Sequence, residues 1–195
     1  WVMLPAGEVT EKAVRDLAGL LAPGDLIADG RNSFYRDSRR RAAELAERRL
    51  LFADAGTSGG VWGLELGYCL MVGGERAAFE RLEPALRTLA PPDGYAHVGA
   101  AGAGHFTKMV HNGIEYGMLQ AYAEGFELIR ASDYDVDLAR LARLWNQGSV
   151  VRSWLLELAE RAFTNDPELA GVEDYVEDSG EGRWTVQESV DQLLK

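Results

Sequence analysis

Short apolar runs alternate with amphipathic stretches through the first half of the chain, and only amphipathic stretches follow. Trp1 to Leu4 is an apolar run closed by Pro5 and Gly7, which predicts a buried strand entering a loop. Thr10 is placed to cap a helix carrying Val14, Leu17, Ala18 and Leu21 on one side, and Pro23-Gly24 stops it. Asp25 to Asp29 predicts a second strand, Ser38 to Arg49 a charged helix with Ala42, Leu45 and Ala46 inward, and Leu51 to Ala53 a third strand. After a glycine-rich segment come a strand at Tyr68 to Val72, a helix at Glu75 to Leu89 and a short strand at Ala96 to Val98. Strands separated by helices of this length predict a doubly wound parallel sheet, a partial Rossmann-type α/β unit over residues 1–101. Ligands of such sheets lie beyond the carboxyl ends of the strands. From residue 102 to 195 the chain reads as all-α, with helices expected at Phe106 to Arg130, Asp137 to Trp145, Val150 to Phe163 and Thr185 to Leu194.

Composition narrows the possible functions. The 195 residues carry 20 Lys and Arg against 31 Asp and Glu, a net charge of −11, which disfavours a nucleic-acid surface but allows one basic pocket for a small anion. No apolar run is long enough to span a bilayer. The single cysteine, Cys69, lies in an apolar run and is expected in the core; one thiol excludes an internal disulfide framework and suits a reducing, cytoplasmic compartment. His97 and His105 lack partners at metal-ligand spacing, so no metal is expected.

The helix after Gly104 is chemically unusual. Lys108, His111, Asn112, Glu115 and Tyr116 stand at i, i+3, i+4, i+7 and i+8, on one helical face. That face offers an amine able to act as a base if burial lowers its pKa, a carboxyl able to act as an acid if its pKa is raised, and three hydrogen-bonding groups. A solvated polar stripe is the ordinary explanation of such a face. Exposed stripes are built from Glu, Lys, Arg and Gln, however, whereas His, Asn and Tyr have lower helix propensity and gather where there is something to bind. The run Asp54-Ala55-Gly56-Thr57-Ser58-Gly59-Gly60 could cradle an oxyanion on successive N–H groups, although by itself it reads equally as a tight turn needing positive φ. Asn32-Ser33 has the same status.

In order, PAGE at Pro5, DGRNS at Asp29, DAGTSGG at Asp54, LMVGG at Leu70, GAGHFTKMVHNGIEYG at Gly102 and GEGRWT at Gly180 resemble the short form of decarboxylating 6-phosphogluconate dehydrogenase, along almost the whole chain. The lysine-to-asparagine spacing and the SGG turn occur across β-hydroxyacid dehydrogenases, but His111 with Glu115-Tyr116 is specific to this family. The resemblance implies oxidation of 6-phosphogluconate at C3 by NADP or NAD, then loss of CO2 to give ribulose 5-phosphate. It implies Lys108 as general base and then acid, and Glu115 as the acid that protonates the enediol. It assigns substrate carboxylate and hydroxyl contacts to Ser58, Gly59 and Gly60, sugar hydroxyls to His111 and Asn112, phosphate to Tyr116 and Arg183, and cofactor contacts to Leu4, Pro5, Ala6 and Asn32, the last also near substrate. A homodimer or higher homo-oligomer is implied.

The sequence departs from that pattern in places. Arg31 stands where the family has a second glycine before Asn-Ser, and no G-x-G-x-x-G turn precedes a helix, because Gly102-Ala103-Gly104 opens the catalytic helix. The chain is therefore expected to be the central piece of a longer enzyme. Two other readings compete: another β-hydroxyacid dehydrogenase, which would keep Lys108 and Asn112 without needing Tyr116, and a truncated non-catalytic paralogue that binds sugar phosphates.

Overall fold

The computed structural model describes all residues except Asp174, Glu177, Leu194 and Lys195. Its contacts divide the chain into two compact units, one of Trp1–Asn112 with Gly180–Lys195 and one of Gly113–Ser179.

The first unit is a layered α/β structure. Its sheet has the order β1 (Leu26–Asp29), β2 (Leu51–Ser58), β3 (Cys69–Gly74), β4 (Tyr95–Gly99). Helices α1 (Glu8–Leu20) and α2 (Tyr35–Glu47) precede β1 and β2, a single turn α3 (Gly63–Leu66) precedes β3, and α4 (Arg76–Leu89) precedes β4. Successive residues of a strand face opposite sides, and both sides are covered. Ile27 and Phe52 pack with Val14, Ala18 and Leu45 of α1 and α2. Ala28, Ala53, Ala55, Leu70 and Val72 pack against Ala78, Phe79, Leu82 and Leu86 of α4. The unit is thus doubly wound, as its alternating pattern predicts.

The direction of one strand pair differs from the all-parallel expectation. β1 with β2 and β3 with β4 are parallel, but β2 and β3 run antiparallel, with Ala53 opposite Gly74 and Ser58 opposite Cys69. The connection Gly59–Tyr68 is shorter than the roughly dozen residues a parallel crossover needs, so the chain turns back instead. Other boundaries move as well. β2 continues to Ser58, taking in the first five residues of the segment expected to be an anion-binding loop, and Gly59 (φ 143°) and Gly60 (φ 54°) make the turn. The expected first strand contracts to one parallel bridge, Val2 to Asp29. Thr10 is not a cap: α1 starts at Glu8, and the buried Thr10 hydroxyl donates to the Pro5 carbonyl at 2.8 Å. Cys69 is exposed rather than in the core, since it is the first residue of β3 and its side chain clears the edge of the packed layer.

Two further helices complete this unit in part. The long α5 (Ala103–Arg130) begins here, and α8 (Glu181–Leu193) packs on α2 and the loop before it. Trp184 rests on the Phe34 ring at 5.1 Å between centroids, and Glu188 accepts from the Tyr35 hydroxyl at 2.7 Å and from Arg36 at 2.9 Å.

The second unit holds the rest of α5 with α6 (Leu138–Trp145) and α7 (Trp154–Asn165). Phe126, Leu138, Ala142, Leu156 and Phe163 form its core. Asp137 and Ser153 cap α6 and α7 by accepting from the backbone N–H groups of Arg140 and Leu156. No described helix is long and apolar enough to cross a membrane.

Candidate active site

The position of Lys108 is set by the way α5 begins. Asp54, fully buried in mid-β2, accepts from the backbone N–H groups of Gly102 at 2.7 Å and His105 at 2.8 Å. A carboxylate there satisfies donors that a helix start leaves unpaired and faces the positive end of its dipole. Close backbone contact then follows from glycine. A Cβ on Gly104 would lie 2.3 Å from the Asp54 carbonyl and 2.5 Å from that of Met71, and one on Gly73 would lie 2.6 Å from the Asp54 carboxylate. One turn further, a Cβ on Gly56 would lie 2.4 Å from Cβ of Lys108, so the lysine stem lies directly on the backbone of β2. The ladder shifts register between Val72 and Gly73, beside this contact.

Lys108 is 5% exposed and Asn112 7%. Nδ1 of His111 lies 3.4 Å from Nζ of Lys108 and 3.0 Å from Oδ1 of Asn112, while its Nε2 lies 3.3 Å from Oγ of Ser58. The Asn112 amide donates to the carboxylate of Glu181, which is 5% exposed at the first residue of α8. Thr185 ties α8 to this part of α5 by donating to the Met109 carbonyl at 2.8 Å. The first unit therefore brings together Lys108, His111, Asn112 and Ser58 from the predicted set, with Gly59 and Gly60 next in the chain.

Asn32 stands beyond β1, on the same side of the sheet. Its Oδ1 accepts from the Thr57 N–H at 3.2 Å, leaving the amide nitrogen as its remaining donor. The loop is tied down by a buried ionic cluster in which Asp29 accepts from Ser33 at 2.8 Å and from Arg41 at 2.8 Å, and Arg41 also donates to Glu11 at 2.7 Å. Burial pushes the Asp29 carboxyl up, against the opposing pull of His105, Ser33 and Arg41. The Leu4-Pro5 carbonyls are held by Thr10. Arg183 is exposed in the first turn of α8.

Glu115 and Tyr116 continue the face of α5 but fall in the second unit, where Glu115 is half-buried and the exposed Tyr116 hydroxyl lies 3.4 Å from that of Ser179. Among the described residues there is no group of three or more His, Cys, Asp and Glu able to hold a metal ion. His97 Nε2 lies 2.8 Å from the Gly74 carbonyl oxygen, and since a carbonyl only accepts, Nε2 carries the proton and donates. His105 is buried against the Ser38 hydroxyl at 2.7 Å.

Sequence reasoning missed Asp54 and Glu181 as positioning groups. Asp54 left a trace, an acid inside the apolar run LFADAG, yet its partners lie about fifty residues on and no local pattern announces them. Glu181 left none.

The chain is thus an α/β unit followed by helices, with Lys108 and Asn112 on one helix beside the Ser58-Gly59-Gly60 turn. A family model described as the NAD binding domain of 6-phosphogluconate dehydrogenase matches residues 1–102, and one described as the 6-phosphogluconate dehydrogenase C-terminal domain matches residues 104–194. The chain belongs to the 6-phosphogluconate dehydrogenase family. It is 48% identical over 191 residues to a putative 6-phosphogluconate dehydrogenase, YqeC, of Bacillus subtilis, and 47% identical over 194 residues to an NAD(+)-dependent, decarboxylating 6-phosphogluconate dehydrogenase of Haloferax volcanii. Each match takes in 98% of this chain and 64% of the relative, so the chain spans just under two thirds of their length. Among solved structures it is similar to Plasmodium falciparum 6-phosphogluconate dehydrogenase, described apo, with its cofactor NADP+ and with its substrate 6-phosphogluconate; the TM-score is 0.87 at 27% identity, over 99% of this chain and 44% of that one. Similarity to Mycobacterium tuberculosis 3-hydroxyisobutyrate dehydrogenase is lower, with a TM-score of 0.65 at 30% identity over 78% of this chain and 51% of that one.

Proposed function

We propose that the protein carrying this chain oxidises 6-phosphogluconate with NAD or NADP and decarboxylates the product to ribulose 5-phosphate and CO2. The observation that carries the reading is the buried Lys108 amine beside His111, Asn112 and Ser58 at the carboxyl end of β2. Lys108 takes the C3 hydroxyl proton as the C3–H bond gives up its hydride. The bound nicotinamide supplies the hydride acceptor. The residues present fit the nicotinamide end of that cofactor: Asn32 offers an amide donor past β1, where ligands of doubly wound sheets sit, and the Leu4-Pro5-Ala6 turn follows the bridge at Val2.

The resulting ketone is β to the C1 carboxylate. Lys108, now protonated, gives its proton to the ketone oxygen as the C1–C2 bond breaks, CO2 leaves and the electron pair forms the C2–C3 double bond of an enediol. Glu115 then protonates the carbon that becomes C1 of ribulose 5-phosphate, and this role rests on the family resemblance. Ser58, Gly59 and Gly60 bind carboxylate and hydroxyl, His111 and Asn112 the sugar hydroxyls, and Tyr116 and Arg183 the phosphate. A homodimer or higher homo-oligomer in a reducing, cytoplasmic compartment completes the reading. The alternative of a small unphosphorylated substrate leaves Tyr116 and Arg183 without a role.

The test is Lys108→Met in the intact protein. It removes formation of reduced cofactor from 6-phosphogluconate by at least about a hundredfold, the size of a general acid–base contribution, while calorimetry still detects substrate binding. Wild-type turnover in that variant sinks the assignment.

A further inference from the structure

We propose that Thr57 is a positioning residue whose hydroxyl fastens the cofactor-side loop Gly30–Asn32 to the end of β2, next to Ser58, Gly59 and Gly60. The consequence for cofactor affinity rests on the function proposed above; the fastening itself does not.

Thr57 reaches the loop with two groups. Its backbone N–H, 3.2 Å from Oδ1 of Asn32, can only donate, so the Asn32 amide is held by its oxygen and offers a ligand its Nδ2 protons. The Thr57 hydroxyl lies 3.0 Å from the carbonyl oxygen of Gly30 and 3.1 Å from that of Ala55 in its own strand. A hydroxyl has one proton for the two carbonyls. The Gly30 contact is the one that joins different segments, and Gly30 is buried, so a carbonyl deprived of this donor has to move to find water.

The loop is closed on its other sides as well. The Trp1 indole lies so near Gly30 that a Cβ there would overlap it, and the Gly30 N–H donates to the Val2 carbonyl at 2.9 Å. At the far end the Ser33 hydroxyl donates to the fully buried Asp29 carboxylate at 2.8 Å. Asn32 lies between these fixed points. Without the Thr57 hydroxyl the Gly30 carbonyl turns outward, the following peptide turns with it, and the Asn32 amide loses its alignment on the Thr57 N–H. A loop that must be ordered again at each binding event weakens ground state and transition state alike, so KM rises while kcat holds. None of this requires Thr57 to touch a ligand.

The experiment compares Thr57→Val and Thr57→Ser in the intact protein. Valine keeps the branched shape and suits a strand, so folding is expected, while serine keeps the hydroxyl. Calorimetric titrations with NAD and with NADP should show Thr57→Val weakening the dissociation constant of whichever cofactor wild type binds by about three- to tenfold, the worth of one neutral hydrogen bond. In turnover of 6-phosphogluconate the cofactor KM should rise by the same factor with kcat within about twofold of wild type, and Thr57→Ser should restore both. Hydrogen–deuterium exchange read by mass spectrometry should be faster at residues 30–33 in Thr57→Val, unchanged in β1, and back to the wild-type rate in Thr57→Ser. A merely structural role would speed exchange through β1 and β2 together and lower kcat as KM rises. Wild-type exchange of the loop in Thr57→Val, or a serine variant that behaves like the valine one, overturns the fastening; a loosened loop with unchanged cofactor affinity overturns its part in binding. If the wild-type protein does not turn over 6-phosphogluconate, the function proposed above fails, while loop exchange in the two variants still decides this proposal.

Discussion

Substituting Gly104 by alanine tests whether the docking of α5 on the sheet positions the base. The new methyl would lie 2.3 Å from the Asp54 carbonyl oxygen, 2.5 Å from that of Met71 and 2.8 Å from the Gly73 nitrogen, all backbone atoms of central strands that cannot swing away. An ordinary carbon–oxygen contact is about 3.3 Å, so the helix must retreat by about 1 Å. That movement would stretch the Gly102 and His105 hydrogen bonds to Asp54 from 2.7 and 2.8 Å past useful length. Overpacking costs about 1–3 kcal/mol and each hydrogen bond to a charged group about 1.5–3. The variant should lose at least about 4 kcal/mol, a drop of roughly 10 °C or more in the thermal midpoint. Lys108, one turn on, moves with the helix, and a 1 Å misplacement of a reacting group costs about a hundredfold in rate. The control is Gly117→Ala in the same helix, where a Cβ meets nothing within 4 Å; it should raise stability by about 0.5–1 kcal/mol through lost backbone entropy alone. Calorimetric melting and turnover of both variants decide the matter. A Gly104→Ala midpoint within 2 °C (about 0.5 kcal/mol) of wild type, or a control that falls as far, would refute the reasoning.

Other expectations concern the surroundings of the site. Arg41→Met strands the fully buried Asp29 without its cation and should cost about 3–5 kcal/mol by urea unfolding, with Asp29→Asn added to it recovering part of the loss; no loss in the single variant would mean the ion pair is not formed. The Tyr35 hydroxyl, Gln192 and Arg36 hold the Glu188 carboxyl below its ordinary range. Stability from this group is therefore present above its unfolded value and lost as pH falls through its lower folded value. The difference between wild type and Glu188→Gln should vanish in acid, and a gap that persists there would contradict the assignment.

Much of the first unit is legible in the residue pattern because its helices and strands are decided by local periodicity. Val14 and Ala18, or Phe79, Leu82 and Leu86, repeat at helical spacing and are buried as that spacing predicts. The polar face of α5 is legible for the same reason, since helix geometry alone aligns Lys108, His111 and Asn112. Strand direction is not, because whether β3 runs with or against β2 depends on the length and turn geometry of Gly59–Tyr68 and not on which residues alternate. The exposure of Cys69 escaped because a residue's burial at the first position of a strand depends on what packs beyond the edge.

By itself the sequence determined the element order, the doubly wound α/β class followed by helices, and the identity of the polar groups on α5, since each follows from contacts within a few residues or from motif chemistry. Only the tertiary structure decided how those groups are aimed. Asp54 grips the start of α5, Gly56, Gly73 and Gly104 let backbones touch, and Glu181 orients Asn112. These contacts join segments tens of residues apart, and close packing with buried hydrogen bonds specifies them only once the chain has folded.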